Sequence, residues 1–344
     1  MDHRLAEDGP RVRDVGEGGL LARLRPLLAA QTAGLPLAWG DDVAVTAERA
    51  GRLAWTIDTM VEGTHFRWWR ENPPELVGRK LAATNLSDLA SKGARPWVAL
   101  LSLGVPADAP AAAAEAVVRG VALRLAEAGG ALIGGDTVRA PQWCLTLALA
   151  GALDPAAPVA ARGNARPGMA VYVTGNPGES AAGLEILEMP RNGDRAIYPP
   201  LVRAHLDPEP RLAEGALLAR LAPDLAMIDV SDGVAHECLE IARHSGVRVV
   251  LDSALLPVSL ALGAYAQAAG RDALDLLLHG GEDYELLFCT AVEEGVLQSA
   301  VRDAGIRTPL TRIGRVEEGS GAAIVTASGA VLPLHAEGFE HFGG

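Results

Sequence analysis

The sequence predicts an α/β (α+β) protein of two domains, and three observations carry that expectation. The chain has 344 residues, 49% of them hydrophobic, which is long for one core and ample for two. Short apolar runs alternate with segments whose apolar residues recur at helical spacing. A stretch rich in Pro, Ala and Gly, from Leu153 to Gly168, interrupts that alternation and marks a boundary between residues 1–153 and 154–344.

In the first half, Leu53 to Ile57 is strand-like. Glu75 to Ala90 is helical in spacing, opened by Pro73-Pro74 and closed by Gly93. Trp97 to Leu103 reads as a strand, and alanine-rich Ala111 to Ala128 as a helix stopped by Gly129-Gly130. Ala131 to Ile133 and Cys144 to Leu149 complete a run of short strands. In the second half, a strand over Ala170 to Thr174 precedes a helix after Gly178. Strand Ala226 to Val230, helix Val234 to His244, strand Val247 to Leu251 and strand Tyr284 to Cys289 follow. No internal repeat is visible.

Composition narrows the function. No apolar run of about 18 residues is present, so no membrane-spanning helix is expected. The segment Met1 to Arg25 mixes acids and bases and lacks the apolar stretch of a secretory signal. Cys144, Cys238 and Cys289 are odd in number and sit among apolar neighbours, so they read as reduced core residues. A cytoplasmic enzyme is expected. Thirty basic against 43 acidic residues give a net charge of −13, which argues against a nucleic-acid surface. An acidic chain binds polyphosphate only with divalent cations between carboxylate and phosphate, so the position of the acids matters more than their number.

Several acids gather where strands give way to turns: Asp41-Asp42, Asp58, Asp136, and the pair Asp229 and Asp232 around Val230-Ser231. Each has an ordinary alternative. Asp232 could cap the helix that starts near Val234, and Asp42 and Asp136 could be turn residues beside glycine. Asp88 sits near the C-terminal end of its helix, where the dipole disfavours an anion by about 0.3–1 kcal/mol, a cost that Lys92, one turn on, could offset. Shared magnesium ions would account for all of them, because magnesium takes hard oxygen ligands and bridges carboxylates to phosphates.

Other motifs are absent or weak. Gly-Lys-Ser/Thr occurs nowhere, and no Gly-x-Gly-x-x-Gly opens a helix after a strand. His236, Glu240 and His244 share a helical face, but the zinc pattern fails because residue 240 is Glu. The turn Gly175-Asn176-Pro177-Gly178 before a helix suits either a phosphate cradle or a plain loop.

The motifs themselves carry a resemblance. Gly40-Asp41-Asp42-Val43-Ala44-Val45, Asp58-Thr59-Met60-Val61-Glu62-Gly63-Thr64-His65-Phe66 and Asn85-Leu86-Ser87-Asp88-Leu89-Ala90 come first. Ile133-Gly134-Gly135-Asp136-Thr137, Asp229-Val230-Ser231-Asp232-Gly233 and Gly280-Gly281-Glu282-Asp283-Tyr284-Glu285-Leu286 follow in order. From about Gly16 to Phe342 the chain resembles the thiamine-monophosphate kinase family. The Gly-Asp-Asp, Ser-Asp-Gly and Gly-Gly-Asp elements are shared with aminoimidazole-ribonucleotide synthetase and its relatives, whereas the Val-Glu-Gly-x-His-Phe and Gly-Gly-Glu-Asp-Tyr-Glu-Leu strings are more specific to the kinase.

The resemblance implies a synthetase-like fold of two domains. The N-terminal domain binds ATP and magnesium and pairs with its copy in a homodimer to close a barrel of strands; a C-terminal α/β domain packs beside it. It implies transfer of the γ-phosphate of ATP to thiamine monophosphate, giving thiamine diphosphate. Carried over by motif, several magnesium ions are held by Asp42, Thr56, Asp58, Asp88, Asp136, Asp229 and Asp232. Position 57 is often a hydroxyl residue in the family; here Ile57 offers only its main-chain carbonyl. Gly135, Asp136, Arg162 and Ser231 contact ATP, and His65, Glu282 and Phe339 the thiamine moiety. An aromatic face suits a cationic heterocycle, and a carboxylate pairs with an aminopyrimidine. No general base is assigned, because the acceptor phosphate is already mostly ionised.

Two other readings compete. One is another ATP-using member of the superfamily, such as an aminoimidazole-ribonucleotide synthetase-like or hydrogenase-maturation-like protein; selenophosphate synthetase is disfavoured, because no cysteine lies in the first 143 residues. The other is a non-catalytic nucleotide-binding protein, against which the full acid set argues.

Overall fold

The computed structural model describes residues 9–33, 35, 43–189 and 193–336. The chain divides into two compact units, Met1–Leu89 with Arg95–Leu153, and Ala90–Ala94 with Asp154–Gly344. Among the described residues no helix is long and apolar enough to cross a membrane.

The first unit contains α1 (Val12–Thr32), β1 (Leu53–Val61), α2 (Pro74–Ala90), β2 (Arg95–Val105), α3 (Ala111–Glu127), β3 (Ala131–Arg139) and β4 (Cys144–Ala152). Its described strands form an open sheet in the order β1-β4-β2-β3, antiparallel except for β2 beside β3. Among the described residues the sheet does not close into a barrel within one chain. Alternation along β1 turns Thr56, Asp58 and Met60 inward and leaves Trp55 and Ile57 70% and 66% exposed. Leu100 and Val138 are also exposed, and Leu100 and Ile57 both pair with Ala148 of β4, so they share one face.

The polar residues Asp58 and Asp136 lie inside strands, not at their ends as the sequence suggests. Asp58 stands opposite Leu147, and Asp136 opposite Ser102. Neighbouring strands on a continuous ladder override the weak strand preference of aspartate. Helix α1 is not anticipated from its mixed charges, yet it buries Leu20, Leu24 and Leu28, one face at a spacing of four.

Helices α2 and α3 touch through glycine. A Cβ on Gly78 would stand 2.0 Å from the Val117 carbonyl oxygen, and one on Gly120 2.0 Å from that of Glu75. Neither position admits a side chain, so the two backbones can lie in contact.

The second unit contains β5 (Ala170–Thr174), α4 (Glu179–Glu188), α5 (Asp194–Ile197), α6 (Pro199–Leu206), α7 (Leu212–Leu221), β6 (Ala226–Asp229) and α8 (Val234–Ser245). It continues with β7 (Arg248–Asp252), α9 (Leu260–Ala269), α10 (Ala273–His279), β8 (Leu286–Thr290), α11 (Glu294–Asp303), β9 (Leu310–Glu317), β10 (Gly321–Val325) and β11 (Val331–Pro333). The described strands form one mixed sheet in the order β11-β10-β7-β9-β5-β8-β6. Alternate residues feed two cores: Val171, Val173, Leu287 and Cys289 on one face, Tyr172 and Phe288 on the other. Both faces are therefore covered, which explains why β8 reads as a continuous apolar run. The three cysteines are free thiols, Cys238 and Cys289 fully buried and Cys144 only partly. Burial pushes the Cys289 thiol up to about 12.

The glycine crossing is testable. Gly78→Ala should destabilise the protein by about 1–3 kcal/mol, the usual range for overpacking. Urea unfolding of the purified variant measures this, and a midpoint equal to the parent's would show that α2 and α3 can part without cost.

Candidate active site

In the first unit the structure brings Thr56 and Asp88 together. The Thr56 hydroxyl donates to Oδ2 of Asp88, joining the inward face of β1 to the last turn of α2. Asp58, two residues on, faces the same way. Ile57 points to the opposite, open face, so its side chain takes no part in this arrangement.

Asp136 stands apart from that pair. It is exposed, opposite Ser102 on β2, and its Oδ1 accepts the Thr137 N–H at 2.9 Å. Gly135 and Asp136 line a concavity of about 1500 Å³ together with Ile57, Leu100 and, from α1, Leu21 and Arg25. Gly135 must lack a side chain, because a Cβ there would lie 1.9 Å from the Leu101 carbonyl oxygen. At the far end of β1, His65 Nδ1 accepts the Val61 N–H at 3.1 Å, which assigns any single ring proton to Nε2. Asp42 and Phe339 lie outside the described residues.

In the second unit β6 ends at Asp229, which is 8% exposed, and the loop Val230–Gly233 leads into α8. The N-cap of α8 is Gly233, with no capping side chain, so Asp232 is not there as a helix cap. Its oxygen lies instead beside Ser231 Oγ, at 3.2 Å, and its main-chain N–H points at Glu237 Oε1, at 3.3 Å. Glu237, on the first turn of α8, is 2% exposed. Burial, then repulsion from Asp229, push its carboxyl up to about 8, while the Asp232 N–H works against the shift and the Asp232 carboxylate gives a smaller push upward. Ligand atoms of Asp232, His236 and Glu237 lie within 4.8 Å of one another. Carboxylates that resist ionising together are a donor set that a divalent cation would relieve. Arg162, in the short 3₁₀ turn Arg162–Asn164, reaches Glu240 on the same helix at 3.3 Å and slightly eases the charge at Glu237.

The three acids of Gly280 to Leu286 have three different tasks. Asp283 accepts N–H groups of Gly178 and Ser180 at 2.6 and 3.0 Å, at the N-terminus of α4. That helix end is already occupied by a carboxyl of its own chain, so the turn Gly175 to Gly178 is no phosphate cradle. Burial still pushes the Asp283 carboxyl well above its ordinary range. Glu285 forms a two-point ion pair with Arg211, both contacts 2.6 Å, and accepts the Thr174 hydroxyl at 2.6 Å. Burial opposes the Arg211 charge, but its bonds to Glu285 raise the pKa nonetheless. Glu282 is half-buried, 29% exposed, with its Oε2 3.6 Å from Nδ1 of His205 and its φ at +64°.

Residues 40–153 match the AIR synthase related protein N-terminal domain, and residues 166–326 the corresponding C-terminal domain. The thiamine-monophosphate kinase of Mycobacterium tuberculosis is 38% identical over 290 residues, 84% of each chain. The chain belongs to the thiamine-monophosphate kinase family. The crystal structure of the family member from Stenotrophomonas maltophilia K279a is similar with a TM-score of 0.77 and 34% identity, covering 89% of this chain and 95% of that one. A structure of AaThiL complexed with AMPPCP and TMP covers 97% of this chain and 99% of its own, with a TM-score of 0.75 and 30% identity.

Glu237, His205 and Arg211 escape sequence reasoning. Glu237 follows the Ser-Asp-Gly motif by one helical turn, and that spacing is the signal that could have found it. In cation-free buffer Glu237→Gln should raise the melting temperature at pH 8. The carboxyl's value is raised from 4.5 to about 8, so its penalty is absent below 4.5 and grows as pH climbs between those values. Melting curves across that window check this: the gap between variant and parent should widen with pH and narrow when magnesium is added. A constant gap would leave Glu237 outside the acidic cluster's electrostatics.

Proposed function

We propose that the chain transfers the γ-phosphate of ATP directly to thiamine monophosphate, giving thiamine diphosphate. The observation that carries this reading is end-to-end similarity to thiamine-monophosphate kinases, one of them solved with AMPPCP and TMP. The acidic loops of both units supply the chemistry that such a transfer asks for. Little covalent work falls to the protein in phosphoryl transfer; positioning and charge neutralisation dominate. Magnesium, when bound, neutralises the polyphosphate and the developing charge on the transferred group.

Asp42, Thr56, Asp58, Asp88 and Asp136 of the N-terminal domain, residues 1–153, are the oxygen donors proposed for it, with the Ile57 carbonyl. Asp229 and Asp232 of the domain 154–344 complete the set. The convergence of ligand atoms from Asp232, His236 and Glu237 within 4.8 Å of one another supports that assignment in the second domain. Gly135 would let backbone approach ATP closely, with Asp136, Arg162 and Ser231 as further contacts. His65, through its Nε2–H, Glu282 and Phe339 would take the thiamine moiety. The acceptor phosphate is ionised near neutral pH, so no residue needs to remove a proton.

The homodimer is proposed to form on the open sheet of the first unit. Trp55, Ile57 and Leu100 expose apolar surface on that face, with Val138 beyond the polar row Thr59, Thr146, Ser102 and Asp136, and β1 and β3 are its edges. A cytoplasmic enzyme without nucleic-acid or membrane partners fits the net charge of −13. Leu100→Glu should convert the dimer to monomer in sedimentation at micromolar concentration; a parent that is itself monomeric there refutes the interface.

Asp88→Asn tests the metal reading. The amide keeps the shape and can still accept from Thr56, but it lacks the charge that a divalent cation needs. Turnover of ATP with thiamine monophosphate should fall about 100-fold or more, while the melting temperature without magnesium stays level or rises slightly. A lowered melting temperature with normal turnover would make Asp88 a structural residue. ADP release with aminoimidazole precursors in place of thiamine monophosphate would favour the other branch of the superfamily.

A further inference from the structure

We propose that His205 is a positioning residue for Glu282, holding the carboxylate that faces the aminopyrimidine end of the substrate. The inference rests on the reading of Glu282 as a thiamine-side residue and assigns it a support that the site motifs do not contain. His205 lies in the last turn of α6 and is 2% exposed. Its Nδ1 is 3.6 Å from Glu282 Oε2 and 3.2 Å from Ser180 Oγ.

Both oxygens face the same ring nitrogen. An unprotonated Nδ1 would set its lone pair against the carboxylate, so the favourable arrangement has the proton on Nδ1, between Ser180 Oγ, the nearer oxygen, and Glu282. The 3.6 Å separation is too long for a full hydrogen bond and well within reach of an electrostatic contact. Ser180 completes the seat. It is fully buried on the first turn of α4, whose N-terminus is fastened by Asp283, the residue next to Glu282.

The geometry depends on close approach of α4 and α6. A Cβ on Gly183 would stand 2.1 Å from the Leu201 carbonyl oxygen and 3.1 Å from the His205 Cβ. Only glycine lets α6 come near enough for the imidazole to reach the loop. Glu282 in turn has a backbone pinned by its N–H to the Ser231 carbonyl, at 2.7 Å, in a left-handed conformation. With backbone and Nδ1 contact both specified, few carboxylate orientations remain, which lowers the entropy lost when substrate docks.

The full-length protein is compared with His205→Asn, His205→Gln, His205→Leu, Glu282→Gln and the double variant His205→Leu/Glu282→Gln. Asparagine can place an amide N–H near the Nδ1 position; glutamine extends past it toward Nε2. The expected pattern is a KM for thiamine monophosphate raised about tenfold in His205→Leu and His205→Gln, the scale of one lost contact to a charged group. KM for ATP and kcat should stay within about twofold, and His205→Asn should recover most of the loss. Calorimetric binding of thiamine monophosphate should weaken in parallel. The leucine change should add little on top of Glu282→Gln.

If Glu282→Gln raises KM for thiamine monophosphate but no His205 variant does, the positioning role is overturned while the substrate reading stands. Fully additive effects overturn it as well. If Glu282→Gln itself leaves that KM unchanged, the substrate reading fails and the positioning role with it. Should the leucine variant not fold, the asparagine–glutamine contrast decides: equal KM values for the two overturn the proposal.

Discussion

Three backbone hydrogen bonds seam the loop Val230–Gly233 to the segment Gly280–Leu286, and the chemistry of the second unit depends on that seam. The N–H of Glu282 donates to Ser231, that of Tyr284 to Val230, and that of Val230 to Glu285, at 2.7, 2.8 and 2.7 Å. Glycine permits the approach on both sides: a Cβ on Gly281 would be 2.6 Å from the Ser231 oxygen, and one on Gly233 2.8 Å from that of Leu278. Glu282 and Tyr284 sit in the left-handed region, each at a cost of about 1–3 kcal/mol that the seam must offset. The acids Asp229, Asp232 and Glu237 therefore share a rigid frame with Glu282. A kinase that positions two ligands gains most from such a frame, because misplacement of about 1 Å can cost roughly 100-fold in rate.

The Arg211–Glu285 pair holds that frame in register more than it adds stability. Buried ion pairs often contribute little net free energy against apolar replacements. This one, however, satisfies several groups at once. Glu285 takes the Arg211 guanidinium and the Thr174 hydroxyl, and Thr174 in turn accepts the Leu286 N–H at 2.8 Å. A Cβ on Gly175 would lie 1.8 Å from Oε1 of Glu285, so the turn after β5 is shaped around the carboxylate. An apolar pair of equal volume would fill the space but leave the Thr174 O–H without its acceptor.

How much of this is legible in the sequence follows from which forces are local. Helices α2, α3 and α8 stand within about a residue or two of their expected bounds, because glycine, proline and apolar spacing act nearby. Strands β1 and β3 extend past theirs, because ladder pairing with distant strands outweighs the local preference of Asp58 and Asp136. Helix α1 hides its Leu20, Leu24 and Leu28 face behind mixed charges. At the site, the sequence marks acids without ranking them. Asp283 as a helix-end ligand, Glu285 as an ion-pair partner and Glu282 beside His205 differ only through contacts made far along the chain. The same is true of Glu237, whose raised value comes from burial and from repulsion by Asp229.

In the first unit a single strand separates two tasks by one residue. Thr56 and Asp58 face inward, where the hydroxyl meets Asp88; Ile57 between them faces out, beside Leu100 across Ala148. Side chains alternate with a period of two, so a hydroxyl at position 57 would join the open face, not the Thr56–Asp88 pair. An isoleucine there sacrifices no inward donor, and it adds apolar area to a face that already carries Trp55, Leu100 and Val138. Isoleucine at this position thus gives apolar surface to the open face and leaves the inward pair untouched. A slip of one residue in the pairing of β1 would exchange the two faces, putting Ile57 against Asp88 and both oxygen donors on the apolar side. The nine-residue pairing of β1 with β4, unbroken from Leu53–Ala152 to Val61–Cys144, guards against that slip.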